Sequence, residues 1–395
     1  MDDISVRDIC RSKILAFILV MPAYFDVINV VLRTMGVEAV STITALIYIG
    51  VLIYIIIKCS IRTDDLLILL LVYLGVAIHY LLISDSREYL NTQGMMIVLL
   101  FFIPYGVLAI RKTKDWDTVF HYMYRFSAIA IITGAIMLLF FPYDKYLVYM
   151  DYSFALLPAI CSCYYQYTKG GSFNASKYRQ RFAGFLFGIG IIEIIAFGAR
   201  ACVLYAIMFV VIVEMLRDDT SIRRKVIVTI ASIGVTLFLL FWLDEILTYF
   251  SSLSIFGNSY LIRSYLRGHL FTSDTRTLIW ESCIKRIKTM GLSVSGFFGD
   301  RKYCIAVYPH NIVLEILMSW GWIIGICILT YIIALFFVGI RSKGKSRIGT
   351  ILLLCSVFSR YIFSGSYVIE GKFWILLFAL IAIAHMERLK KRQLS

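Results

Sequence analysis

Long apolar runs separated by short polar turns dominate the chain. A hydrocarbon core of ~30 Å is crossed by about 20 apolar residues in a helix. Runs close to that length occupy 14–32, 39–57, 66–83, 94–110, 119–141, 152–168, 182–198, 200–216, 224–243, 311–340, 348–363 and 373–387. The pattern predicts an all-α, polytopic membrane bundle of twelve spans. The turn at Gly198-Ala199-Arg200 is so short that its flanking helices must form a tight outward hairpin. One polar interruption is far longer than the rest, from Asp244 to Pro309. The chain therefore divides into nine spans in 1–243, a large loop in 244–310, and three spans with a tail in 311–395. Within the loop, Ser273 and Asp274 read as a helix start. Leu278, Ile279, Cys283, Ile284 and Ile287 follow at helical spacing, predicting a helix along the membrane surface with Lys285 and Lys288 turned to water.

Composition strengthens the membrane reading. Of 395 residues, 60% are hydrophobic and 16% charged, with a mean hydropathy of +0.83, a balance that a water-soluble domain could not cover with polar surface. A net charge of +14 would point to nucleic acid in a soluble protein, but here the basic residues sit in turns between apolar runs. No nucleic-acid partner is expected. Counted on alternate sides of twelve spans, 24 Lys and Arg residues fall on the amino-terminal side and 6 in the short loops opposite. That bias places both termini in the cytoplasm and the large loop on the periplasmic or extracellular face. The basic start (Arg7, Arg11, Lys13) resembles a signal region, yet Pro22, Asp26, Asn29 and the lack of a small-x-small site favour a retained first helix. Trp116, Trp242 and Trp374 fall near span ends, as interfacial anchors do. The absence of an internal repeat of six spans plus six counts against a transporter of the major-facilitator type.

Chemistry-bearing residues are few. Ionisable groups at membrane depth are costly and are the first functional candidates. Glu193 lies deep in Ile191-Ile192-Glu193-Ile194-Ile195, seven residues before Arg200, so an ion pair orienting Arg200 and a plain contact between helices are both open. His79 and Asp26 read as groups satisfied by neighbouring helices. The loop carries eight basic residues against five acidic ones, among them Arg263, Arg267 and Arg276, so an anionic partner is expected on that side. Arg276 falls in the first turn of the surface helix, where backbone N–H groups also favour an anion such as a diphosphate. His310 precedes the tenth span at its outer end, and neutral imidazole there can take a proton from an attacking hydroxyl. Asn311 can cap that helix or hold the ring, and Glu315, one turn deeper, can set the tautomer. Among nine cysteines only Cys283 and Cys304 share the loop, as a disulfide or as free thiols. Asp115-Trp116-Asp117 has the form of a metal-binding Asp-x-Asp but sits in a basic turn. With no Gly-rich phosphate loop, HExxH or Gly-x-Ser-x-Gly, neither metal nor cofactor is expected.

Three stretches, in order, resemble the O-antigen polymerase and O-antigen ligase superfamily of bacterial surface-polysaccharide assembly. They are Phe197-Gly198-Ala199-Arg200-Ala201, Ser273-Asp274-Thr275-Arg276-Thr277-Leu278-Ile279-Trp280 with Gly-Phe-Phe-Gly at 296–299, and Pro309-His310-Asn311-Ile312-Val313-Leu314-Glu315 with Gly321. The resemblance covers about 185–340, and Ala199 stands where the family has a serine. It implies a metal-independent, inverting glycosyltransferase of the bacterial inner membrane, with its active site facing the periplasm. Donor and acceptor would be polyprenyl-diphosphate-linked oligosaccharides. Arg200 and Arg276 would bind the donor diphosphate, with Arg263 and Arg267 as weaker candidates, and His310 would activate the acceptor hydroxyl. A chain-length regulator and a flippase are the implied protein partners. The aromatic-rich front half is polymerase-like; the alternatives are a ligase acting on lipid A-core and, from another class, a flippase for lipid-linked oligosaccharides.

Overall fold

The computed structural model describes residues 6–37, 39–92, 95–140, 149–168, 177–197, 200–217, 221–241, 245, 248–249, 252 and 274–394. Among these residues the fold is predominantly helical, without strands. The first helices are α1 (Val6–Thr34), α2 (Val40–Lys58), α3 (Thr63–Leu82), the short polar α4 (Ser84–Thr92) and α5 (Met95–Lys112). They are followed by α6 (Trp116–Phe140), α7 (Tyr149–Tyr167), α8 (Lys177–Phe197), α9 (Arg200–Leu216) and α10 (Ile222–Phe241). After the large loop come α11 (Asp274–Met290), α12 (Ile312–Arg341), α13 (Lys345–Phe363) and α14 (Gly371–Leu394). Every apolar run predicted from sequence contains one of these helices. Eight of them are long and apolar enough to cross a membrane: α1, α2, α3, α5, α6, α8, α12 and α13.

The centre of the bundle is α1, packed on α6 and α7, with α8 against α7. Leu15, Ile18, Leu19 and Met21 of α1, Ile131 of α6 and Leu156, Leu157 and Ile160 of α7 are all buried there. Glycines permit close approach where backbones crowd: a Cβ at Gly190 would meet Ile160, and one at Gly106 would lie within the Phe378 ring. By contrast α2 and α3 leave Leu46, Ile53, Ile57, Leu66, Leu67, Leu70 and Leu74 exposed, an apolar outer face fit for lipid rather than water. Two runs that hydropathy reads as plain helix contain π-turns, Val98–Phe102 in α5 and Leu354–Phe358 in α13.

The helix predicted within the loop is present as α11. Its buried side, Ile279, Cys283, Ile287 and Met290, packs on Leu317 and Met318 of α12, while Lys285 and Lys288 are exposed as expected. Leu278 and Ile284 are exposed too, so only part of the apolar stripe is used.

The run predicted as one span at 311–340 is broken. Gly321 has φ +69°, and a Cβ there would lie 2.7 Å from the Ser293 carbonyl oxygen. At the same place the Ser319 carbonyl accepts from Ser295 N and Gly296 N at 3.0 and 2.7 Å. These bonds from the preceding loop replace the helix's own, and only glycine relieves both constraints. Ile312–Trp320 is thus a separate short helix, and the stretch after Gly321 is the part with a full span's length.

Candidate active site

His310, Asn311 and Glu315 lie where the start of α12 is pinned to the end of α13 and to the turn joining it to α14. Asn311 is the N-cap of α12. Its Oδ1 accepts from Val313 N at 3.0 Å and Leu314 N at 3.2 Å, and its Nδ2 donates to the Ile362 carbonyl at 3.3 Å. Of its two sequence-level roles the structure realises the cap. The loop ahead of it is fastened by Trp280 of α11, whose Nε1 donates to the Pro309 carbonyl at 3.0 Å.

His310 has φ +54°, an uncommon conformation for a non-glycine residue. It places the imidazole 4.2 Å from the Tyr308 ring, centroid to centroid, with Nδ1 3.2 Å from the Ser364 carbonyl oxygen. A carbonyl oxygen only accepts, so Nδ1 carries the hydrogen and Nε2 keeps its lone pair. Nε2 has no protein partner among the described residues. Burial lowers the His310 pKa below its usual value, and the nearby charges of Arg276 and Arg301 lower it further, against the pull of the Ser364 carbonyl. The ring is therefore held neutral, in one tautomer, with its basic nitrogen free.

Glu315 does not set that tautomer. Its carboxylate faces away from the ring, accepting from Tyr367 N at 3.2 Å and from the Ser366 hydroxyl, and it pairs with Arg301 at 3.5 Å. The ring's orientation comes from main chain instead, from a carbonyl that the sequence pattern could not nominate. Arg301 also pairs with Asp300 and donates to Ser366 Oγ at 2.9 Å, and all three charged groups are buried. Burial pushes the Asp300 carboxyl up to about 6, against the pull of Arg301. With two carboxylates on one guanidinium, Arg301 has no charge to spare for a ligand; it braces the loop against α12 and the α13–α14 turn.

A second guanidinium, half-buried, sits beside this brace. Arg360 bonds Asp151 of α7 at 2.6 Å and Glu370 at 2.8 Å. Neither Arg301 nor Arg360 stands out in the sequence: each has one carboxylate near in the chain, Asp300 and Glu370, but the second lies 14 and 209 residues away. Arg276 differs from both. It is exposed in the first turn of α11, forms no ion pair among the described residues, and is close enough for its charge to act on His310. It is the cation left available to an anion.

The other candidates are placed as follows. Glu193 is buried in α8 and accepts from Tyr152 of α7 at 3.2 Å. Its expected partner Arg200 begins α9, but that side chain lies outside the described residues, as do Arg263 and Arg267. His79 is a structural anchor: its Nε2 lies 3.0 Å from both Phe297 N and Ser86 Oγ, holding the 296–299 turn against the end of α3. Asp115 caps α6 through Thr118, and Asp117 pairs with Lys345, so both acids of the Asp-x-Asp are engaged. The Cys283 and Cys304 sulfurs are 3.9 Å apart as free thiols. No protein-family model matches this chain. No curated protein sequence matches it either.

Proposed function

We propose that the protein is a membrane glycosyltransferase that polymerises polyprenyl-diphosphate-linked oligosaccharide units by transferring the growing chain onto a new lipid-linked unit. The observation that carries the reading is His310: a neutral imidazole with Nδ1 tied to a main-chain carbonyl and Nε2 free, beside an unpaired guanidinium. Nε2 would take the proton of the acceptor hydroxyl as its oxygen attacks the anomeric carbon. The bond from that carbon to the diphosphate oxygen breaks with inversion, and the diphosphate leaves with the electron pair. Arg276, and Arg200 from the start of α9, would hold that leaving group as its charge grows. In this reading all twelve apolar segments span the bacterial inner membrane, both termini are cytoplasmic, and the site opens to the periplasm.

The test is made in a producing strain. His310→Ala and Arg276→Ala should leave single repeat units exported and abolish long chains on a polysaccharide gel. Unchanged chain length in both variants would overturn the assignment. A ligase is separated by deletion: single repeats capping lipid A-core mark a polymerase, and full chains stranded on the polyprenyl carrier mark a ligase.

A further inference from the structure

The end of the bundle away from His310 holds a cavity of about 320 Å³, the size of a small-ligand site. Arg11 of α1, Arg62 before α3, Arg111, Lys112 and Lys114 after the main body of α5, and His385 of α14 converge on it. A second cavity of about 310 Å³ shares Arg11, Arg62 and Lys114 and adds Arg7. The two ends of α3 separate this place from the candidate active site: Arg62 precedes the helix, whereas His79, 17 residues on, touches the 296–299 turn. At 1.5 Å per residue that is about 25 Å.

Orientation bias accounts for basic residues at this end, but not for their gathering around a hollow. Lys343 and Lys391, for example, are simply exposed and line neither cavity. Part of the charge in the hollow is compensated. Arg111 pairs with Asp64 at 2.8 Å and Asp65 at 2.6 Å, Lys112 with Asp65, and Arg11 with Asp8 at 2.9 Å. Arg62 and Lys114 line both cavities, and although the Arg62 backbone N–H donates to Asp65, neither side chain forms an ion pair among the described residues. Arg11 Nε is buried there without a hydrogen-bond partner. Free cations and an unsatisfied buried donor around one partly open hollow are the complement of a compact anion with several acceptor oxygens.

We infer that this cavity is a binding site for a phosphate group, carried by an anionic phospholipid headgroup or by a soluble phosphate compound. The site is independent of the glycosyltransferase reading, since none of its residues belongs to the His310 region. The test uses the full-length protein in a neutral maltoside detergent. Native mass spectrometry follows binding of phosphatidylglycerol against phosphatidylcholine, and thermal unfolding follows the response to inorganic pyrophosphate. Wild type should prefer phosphatidylglycerol by about tenfold or be stabilised by pyrophosphate, and Lys114→Gln should cut that response about fivefold, as loss of one charge-assisted contact implies. Arg62→Gln should act alike; if it does not fold, Lys114→Gln, whose ammonium makes no described bond, decides alone. Lys343→Gln with Lys391→Gln should change nothing. A response to the lipid alone identifies the headgroup, and one to pyrophosphate alone the soluble source. No preference for either, or an equal loss in the Lys343/Lys391 control, overturns the site.

Discussion

At the scale of single residues, His310 illustrates how a weak sequence signal gains content from its neighbours. Its position before an apolar run was visible, whereas the Ser364 carbonyl that fixes its tautomer lies 54 residues on and belongs to the main chain. Because the pKa is lowered, the neutral form persists below the ordinary histidine value of about 6.5. The acid limb of turnover against pH should therefore fall below about 6.5, and His310→Ala should remove that limb while reducing turnover by about 10²- to 10⁴-fold. An acid limb above 6.5 would contradict the geometry. The sign for stability is the same: an imidazole kept neutral in the fold stabilises it above about 6.5, and that contribution is lost as pH falls and the unfolded chain takes up the proton first. The thiols of Cys283 and Cys304 give a second expectation. Hydrogen bonding from Cys283 lowers the Cys304 pKa to about 7, so a mild oxidant that accepts two electrons and two protons, such as diamide, should bond this pair. The cross-link should raise the unfolding temperature, since closing a loop of this size contributes about 3 kcal/mol. Peptide mapping that finds both thiols still free would sink the expectation.

At the scale of elements, hydropathy located the helices and missed their interruptions. A short helix such as Ser84–Thr92 is polar, so an apolar scan passes over it. The π-turns in α5 and α13, and the break in α12, lie inside unbroken apolar runs where nothing in the periodicity changes. Asn311 was legible for the opposite reason: a capping residue directly before an apolar run has a local meaning. Arg301 and Arg360 were not, because a charge shared between one near carboxylate and one remote in sequence carries no pattern. The break at Gly321 should resist substitution. In Gly321→Ala the added methyl meets a carbonyl oxygen and a left-handed backbone, which should cost about 1–3 kcal/mol and lower the unfolding temperature in detergent. The Arg301 brace is more sensitive still. Glu315→Gln leaves Asp300 to neutralise Arg301, but Arg301→Ala strands two buried carboxylates and should cost roughly 3–5 kcal/mol. An Arg301→Ala protein as stable as Glu315→Gln would show that the buried carboxylates need no partner.

At the scale of the whole molecule, charge does two separate things. Short turns rich in Lys and Arg gather at one end of the bundle, where Arg11, Arg111 and Arg224 pair with acids of their own. At the other end the guanidiniums of buried Arg301 and half-buried Arg360 are each matched by two carboxylates. In the proposed topology the first arrangement would orient the chain, and the second shapes a loop. The orientation can be read directly in cells: an impermeant maleimide added outside the inner membrane should label Lys288→Cys and leave Lys343→Cys untouched. The reverse pattern would invert the topology and remove the periplasmic reading with it.

The discontinuity in α12 has a mechanical consequence. The segment before Gly321 is tied to the end of α13 through Asn311 and to the α13–α14 turn through Glu315, while the segment after it is an apolar rod that in the proposed topology would span the bilayer. A continuous helix would carry any change in tilt straight to His310, as a stiff oar moves its handle. With a joint between them, the rod can lean to match a thinner or thicker membrane while the imidazole keeps its place. Turnover in vesicles of different acyl-chain length should accordingly stay level across thicknesses that visibly change helix tilt.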